Sequence, residues 1–386
     1  MTPNIVINRI RAILNIVCLT CLMIDSGGGL GLRNVSFVII FLFAFIGSLK
    51  VKSINKTFIL LYIIFLLSLI PGLSVSLINP DVSLIASTLW IISFLLIPVF
   101  FLYIHGSKID KKAFVIGGTV FAGLIITLFT GRIFGFTYIN NINDYIKDHS
   151  NGFFGNKNFL SGDILPNVYF QGTLSLIICG VICLELKNYF SYFTILIALI
   201  LAPSRIGFSI LVLWGLIVFV KKSYLRIFFI PIFFAIIFFS IYNLPFGKEL
   251  IGIFNGQSDG LEIRNGHIQS IIDEFGMHPV AILTGEGPGS LFYSKGYGAY
   301  VDNIELSQFE YLRKYGIISF IIATFFYFWP LLGKNKNTFF LKGALIMYYF
   351  VSFSNPVLYS IFAMLFVTYA YVENFTNGPS VLYESP

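Results

Sequence analysis

Apolar residues run through this chain in long blocks, and polar residues gather in the gaps between them. A helix that crosses a bilayer core takes about 20 residues. On that measure the pattern predicts spans at 8–25, 35–49, 57–78, 82–104, 113–131, 164–185, 189–203, 206–220, 225–243, 315–332, 338–353 and 356–373. Only Ser204 and Arg205 separate 189–203 from 206–220, so the pair reads either as a tight hairpin or as one long kinked helix. The hairpin brings the total to twelve. The expected fold is an all-α polytopic membrane protein of about 12 transmembrane helices, with a large outer loop before the tenth span. Residues 1–243 hold spans one to nine and a smaller loop near 132–163. Residues 244–314 form the large loop with an amphipathic helix, and 315–386 carry the last three spans and a tail.

Composition excludes a soluble fold. The chain is 57% hydrophobic and 11% charged, with a mean hydropathy of +0.86. A soluble domain carries about 25% charged residues, so this one lacks the polar surface that water would demand. The four cysteines, Cys18, Cys21, Cys179 and Cys183, fall inside apolar blocks and read as small helix fillers, even where Cys18 and Cys21 are spaced as in redox or zinc motifs. Arg9 and Arg11 precede the first block, which reads as a span and not as a cleaved leader.

Charge then orients the spans. Arg9 and Arg11, Lys50, Lys52 and Lys56, Lys108, Lys111 and Lys112, Lys187, Lys221, Lys222 and Arg226, and Lys334, Lys336 and Lys342 all fall in short loops on one side. The positive-inside rule makes that side, and both termini, cytoplasmic. The formal charge of +7 follows from this asymmetry and does not point to nucleic acid.

Candidate chemistry lies on the opposite side. Arg205 sits between two apolar blocks. An arginine near hydrocarbon costs roughly 2.5–3.5 kcal/mol, so it faces either a wet cavity with a ligand or the membrane interface. Arg264 and His267 are three residues apart, which puts both on one face if the segment is helical. Gly285-Glu286-Gly287-Pro288-Gly289-Ser290 reads as a plain turn, or as an amide nest for an anion. From 303 to 315, Leu306, Phe309 and Leu312 mark an apolar stripe, and Glu310 is placed to pair with Arg313 or Lys314. Glu305 opens that helix, where a carboxylate also suits the helix dipole. No cluster of hard oxygen ligands calls for a metal, and no cofactor is expected.

The chain resembles the O-antigen polymerase (Wzy-type) family, within the wider O-antigen ligase and polymerase superfamily. The resemblance rests on the span order, on the large late periplasmic loop and on three local patterns. These are Ala202-Pro203-Ser204-Arg205-Ile206-Gly207; Arg264 early in the loop; and Gly285 to Gly289 through Gly296-Tyr297-Gly298, then Asn303-Ile304-Glu305-Leu306 and Tyr315-Gly316-Ile317-Ile318. Ligases of the superfamily carry a histidine, then a polar residue, then a glycine eleven positions after the histidine. Counting back from Gly316 lands on Glu305, followed by Leu306, a departure that weighs against a ligase.

The resemblance implies transfer of a growing polysaccharide from undecaprenyl diphosphate to a lipid-linked repeat unit at the periplasmic face of a bacterial inner membrane. It casts Arg205 and Arg264 as holders of the donor diphosphate and Glu305 as general base. It puts His267 and Arg313 nearby, and has Gly287, Gly289, Tyr293, Tyr297 and Tyr300 shape a sugar-binding wall. Lipid-linked oligosaccharides and membrane lipids are the implied partners, with room for a chain-length regulator protein. A ligase acting on lipid A core and a polysaccharide flippase are the competing readings. The flippase is disfavoured because no internal repeat is evident.

Overall fold

The computed structural model of the chain describes residues 3–51, 56–78, 91–149, 152–158, 164–202, 204–221, 259–333, 338–355 and 357–375. The expected span 225–243, the start of the one at 82–104, residues 244–258 of the expected large loop, and Lys52, Pro203, Lys222, Arg226, Lys334 and Lys336 lie outside them.

In chain order the helices begin with α1 (Pro3–Ile24), α2 (Leu32–Ser48), α3 (Lys56–Ser68), α4 (Ile70–Ile78), α5 (Ile97–Ser107), α6 (Lys111–Ile133) and α7 (Thr137–His149). Strands β1 (Phe153–Asn158) and β2 (Ile164–Tyr169) follow, then α8 (Leu176–Glu185), α9 (Tyr189–Leu201), α10 (Arg205–Lys221), α11 (Asp259–Met277) and α12 (Ala281–Thr284). Strands β3 (Phe292–Ser294) and β4 (Ala299–Val301) lead into α13 (Ser307–Phe328), α14 (Phe339–Val351) and α15 (Ile361–Phe375).

The protein is mostly helical. Among the described residues four helices are long and apolar enough to cross a membrane: Ile5–Ile24, Lys56–Ile78, Lys111–Ile133 and Ser307–Leu332. Six further apolar helices are shorter. Large apolar side chains such as Val38, Phe45, Leu77, Ile78 and Ile321 are more than half exposed, a surface that lipid can solvate.

Two expectations need correction. The fold is not purely helical: β1 pairs antiparallel with β2, and β3 with β4. The block at 164–185 also does not run as one helix. It opens as β2, turns through a 3-10 segment at Gln171–Ser175, and becomes helical only at Leu176. The strand is held by aromatic packing, with Phe154 of β1 against Phe170 at 4.8 Å between ring centroids. Pro166 is tolerated because a two-stranded ribbon leaves each strand an edge.

The chain divides into two compact units. Unit 1 comprises Met1–Ile39, Ile109–Leu261 and Ile346–Val351. Its central helix is α6, capped by Asp110, whose side chain accepts from the Ala113 amide. Around it pack α1, α8 and α9. The 189–203 and 206–220 blocks form a hairpin: α10 folds back so that the Tyr192 hydroxyl of α9 donates to the Leu211 carbonyl at 3.0 Å.

Unit 2 comprises Ile40–Lys108, Glu262–Leu345 and Ser352–Pro386. Here α13 packs along α3, with Phe65 stacked on Phe326 at 5.0 Å and the Ser68 and Ser319 hydroxyls 3.1 Å apart. The loop segment of this unit has its own small core. Ile268, Ile271 and Phe275 line one face of α11 and meet Phe292, Val301, Ile304, Leu306 and Phe309.

Candidate active site

Helix α13 is where the structure departs furthest from the sequence pattern. Gly316 adopts φ 77° and ψ 172°, so the helix is interrupted there. The interruption removes the amides that would cap the carbonyls of Arg313 and Lys314. The glycine-rich turn replaces them: the Glu286 amide donates to the Arg313 carbonyl at 2.8 Å and the Gly287 amide to that of Lys314 at 3.0 Å. Glycine is required at 316, because a Cβ there would lie 2.2 Å from the Leu283 carbonyl oxygen. These amides are therefore spent on the helix and do not form an anion nest. Gly287 and Gly289, both at positive φ, belong to this turn, which is also tied to α4 by a hydrogen bond from the Ser76 hydroxyl to the Pro288 carbonyl.

The charged face of α13 is buried, contrary to an ordinary amphipathic helix. Glu310, Arg313 and Lys314 are all fully buried. Arg313 Nη2 lies 2.7 Å from Glu310 Oε1, and its Nη1 lies 2.9 Å from Glu286 Oε2. Nε donates to Glu310 Oε2, Nη1 also to the Ser290 hydroxyl, and Nη2 also to the Asp302 carbonyl. Its five N–H groups thus all have acceptors. The expected pairing of Glu310 with Arg313 and Lys314 is present, with Lys314 Nζ 2.7 Å from Glu310 Oε1. Burial holds the Glu286 carboxyl above its usual range against the opposing pull of Arg313. With its donors filled and no exposure, Arg313 organises the loop and has no free edge for a substrate.

A second cluster is partly exposed. Helix α13 begins at Ser307 with Leu306 as its N-cap, so Glu305 lies outside the helix and is not a first-turn acid. Its side chain is 35% exposed, its Oε2 is 3.9 Å from Arg264 Nη2, and its Oε1 accepts from the Tyr297 hydroxyl at 3.3 Å. The Tyr297 hydroxyl is pushed up to about 12, first by burial and then by the Glu305 carboxylate. His267 sits one helical turn along α11 from Arg264, as the three-residue spacing predicts. Its ring meets Tyr297 edge-on at 4.5 Å, and its Nδ1 is 2.7 Å from the Ser294 hydroxyl. Its Nε2 is buried without a hydrogen-bond partner among the described residues. Burial lowers the His267 pKa more than the Glu305 carboxylate raises it, so the imidazole is neutral near pH 7.

The approach of α11 to the β3–β4 turn depends on Gly266 and Gly296. A Cβ on Gly266 would lie 2.5 Å from the Gly296 nitrogen. Tyr293 and Tyr300 are cross-strand partners on the hairpin, 5.5 Å apart between centroids, and present exposed aromatic faces. Arg205 is the first residue of α10 and belongs to unit 1, whereas Arg264, His267, Tyr297 and Glu305 belong to unit 2.

Sequence reasoning missed Ser294 and gave no role to Ser290 or Glu286 beyond the turn. A lone serine in a strand carries no signal. Glu286 was visible only as part of a turn, because its partner Arg313 is distant in sequence. No protein-family model, no curated protein and no solved structure matches this chain.

Proposed function

We propose that the chain is a membrane-embedded polysaccharide polymerase that works on lipid-linked saccharides at the outer face of the bacterial inner membrane. In this reading the chain has about twelve spans and residues 244–314 face the periplasm. The observation that supports it best is the convergence of Arg264, Tyr297 and Glu305, which brings a guanidinium, a phenol and a carboxylate to one partly open surface, with the buried neutral imidazole of His267 packed against Tyr297.

The reaction would proceed by displacement. Glu305 takes the proton from an acceptor sugar hydroxyl of a lipid-linked repeat unit. That oxygen bonds to the anomeric carbon of the growing chain, and the bond from this carbon to undecaprenyl diphosphate breaks with its electron pair going to the diphosphate oxygen. Arg264 holds the leaving diphosphate, because a guanidinium meets phosphate oxygens two at a time and stays charged. The contact between Arg264 and Glu305 is 3.9 Å long and partly exposed, so a substrate can compete for it. Exposed Tyr293 and Tyr300 supply faces on which sugar rings pack.

One observation favours a variant of this reading in which His267 is the base. The tautomer that donates Nδ1–H to Ser294 leaves the unpartnered Nε2 as a proton acceptor. Polymer formation by purified protein with lipid-linked repeat units separates the two. If Glu305 is the base, Glu305→Gln should slow it by at least about 10²-fold, and Glu305→Asp should retain part of the rate. Near-normal turnover by Glu305→Gln together with loss in His267→Gln would move the base to His267. Failure of the wild-type protein to lengthen such substrates would end the polymerase reading.

A further inference from the structure

Unit 1 contains a cleft that the reaction above does not use. It opens among the end of α6, helix α7 and the β1–β2 hairpin, and its volume is about 610 Å³. That size falls within the roughly 300–1,000 Å³ of small-molecule sites. Its polar wall consists of one guanidinium, Arg132, one carboxylate, Asp144, and three amides, Asn140, Asn143 and Asn156. Ile133 and Pro166 supply its apolar part.

The construction follows from the sequence of α7. Asn140, Asn143 and Asp144 fall at i, i+3 and i+4, so one face of the helix presents two amides and a carboxylate to the cleft. Asn143 is 1% exposed, and its Nδ2 donates to the Leu128 carbonyl at 3.4 Å. Its Oδ1 is buried and has no hydrogen-bond partner among the described residues. Buried acceptors are normally matched by protein, water or ligand. The bond to Leu128 fixes the Asn143 amide in the cleft wall and so holds the face of α7 that carries Asn140 and Asp144.

The donor set selects the ligand. Side-chain amides both donate and accept, a carboxylate accepts from two hydroxyls, and a guanidinium donates two parallel bonds. Among the described lining residues one positive and one negative group balance, which disfavours a free phosphate. The polar wall disfavours a lipid tail. Adjacent hydroxyls on a ring with an apolar edge match all of these features. We infer that this cleft binds a saccharide unit. That the saccharide is the polymer or its repeat unit rests on the polymerase reading, whereas the recognition of a sugar rests on the cleft alone.

The test uses the full-length protein in lipid nanodiscs and saturation-transfer NMR with millimolar galactose, glucose, mannose, rhamnose and N-acetylglucosamine, with inorganic phosphate as a competitor. At least one sugar should give a signal that phosphate does not displace. Asn140→Leu and Asn156→Leu should each weaken that sugar by about tenfold, the loss of one or two hydrogen bonds. Both lie at accessible positions, so they keep the test decisive if Asn143→Leu fails to fold. No signal from any of the five sugars, displacement by phosphate, or unchanged affinity in both variants would overturn the inference. Sugar binding at the cleft by a protein that makes no polymer would refute the polymerase reading and leave the cleft standing. Polymer formation without a cleft-dependent signal would do the reverse.

Discussion

Two arginines of unit 2 each face a glutamate, in opposite surroundings. Arg313 is fully buried, with every N–H matched and two carboxylates within 3 Å. Arg264 meets Glu305 at 3.9 Å with both side chains about one-third exposed. The first arrangement repays a large desolvation cost only as a complete set, so it serves the architecture of the loop. The second is weak as an ion pair, because exposed pairs are worth at most about 1 kcal/mol. In the polymerase reading proposed above, that weakness would let its members exchange each other for a substrate. Charge alone does not distinguish the two arginines; their burial and the distance to their carboxylates do.

The sharpest way to break this contrast is Arg313→Ala. It strands Glu286 and leaves Glu310 with Lys314 alone in a buried site, and breaking a buried pair costs roughly 3–5 kcal/mol. Membrane-inserted protein should fall steeply, and whatever is purified should melt early. Normal yield and melting in detergent would show that the network is not structural.

Arg264→Ala should do the opposite. Protein level and melting should stay near wild type, while polymer formation falls by about 10²–10³-fold, the usual effect of removing one donor to a developing negative charge. Arg264→Lys should recover little, since an ammonium cannot make the two-pronged contact. Full polymer length from the alanine variant would remove Arg264 from the site.

Gly316→Ala probes the joint between the buried network and the rest of α13. A side chain held in this backbone region, which is nearly restricted to glycine, costs about 1–3 kcal/mol, and here the added Cβ would also press on the Leu283 carbonyl. The expected result is a lowered unfolding temperature in purified protein. An unchanged temperature would mean that the turn at 285–287 does not depend on the kink.

The smallest effect concerns pH. His267 in the folded protein has a pKa below its ordinary 6.5, chiefly through burial. The unfolded chain therefore takes up this proton first, and as pH falls below about 6.5 the folded state loses stability that is fully present above it. Melting curves recorded between about pH 5 and pH 8 should show this acid limb, and His267→Gln should flatten it. Parallel curves for the two proteins would rule His267 out as its source.

Much of this molecule follows from its sequence. The apolar blocks determine that it is helical and able to meet lipid, since backbone polar groups in hydrocarbon must be satisfied within the segment. The spacing of Arg264 and His267 places them on one helical face, and that of Glu310, Arg313 and Lys314 makes them neighbours, because such pairs are set by the local geometry of a single helix. Tertiary structure decided the rest. Hydrophobicity marks Leu306, Phe309 and Leu312 as the stripe to bury, yet the charged face is buried as well, because Glu286 and Ser290 arrive from another segment to neutralise and saturate it. The amides of the glycine turn look available for an anion until the interruption at Gly316 presents carbonyls that claim them. Glu305 reads as a helix-start acid and is placed instead beside Tyr297 and Arg264, through contacts that no single helix could make. Local spacing determines which side chains share a face; only the folded chain determines what that face meets.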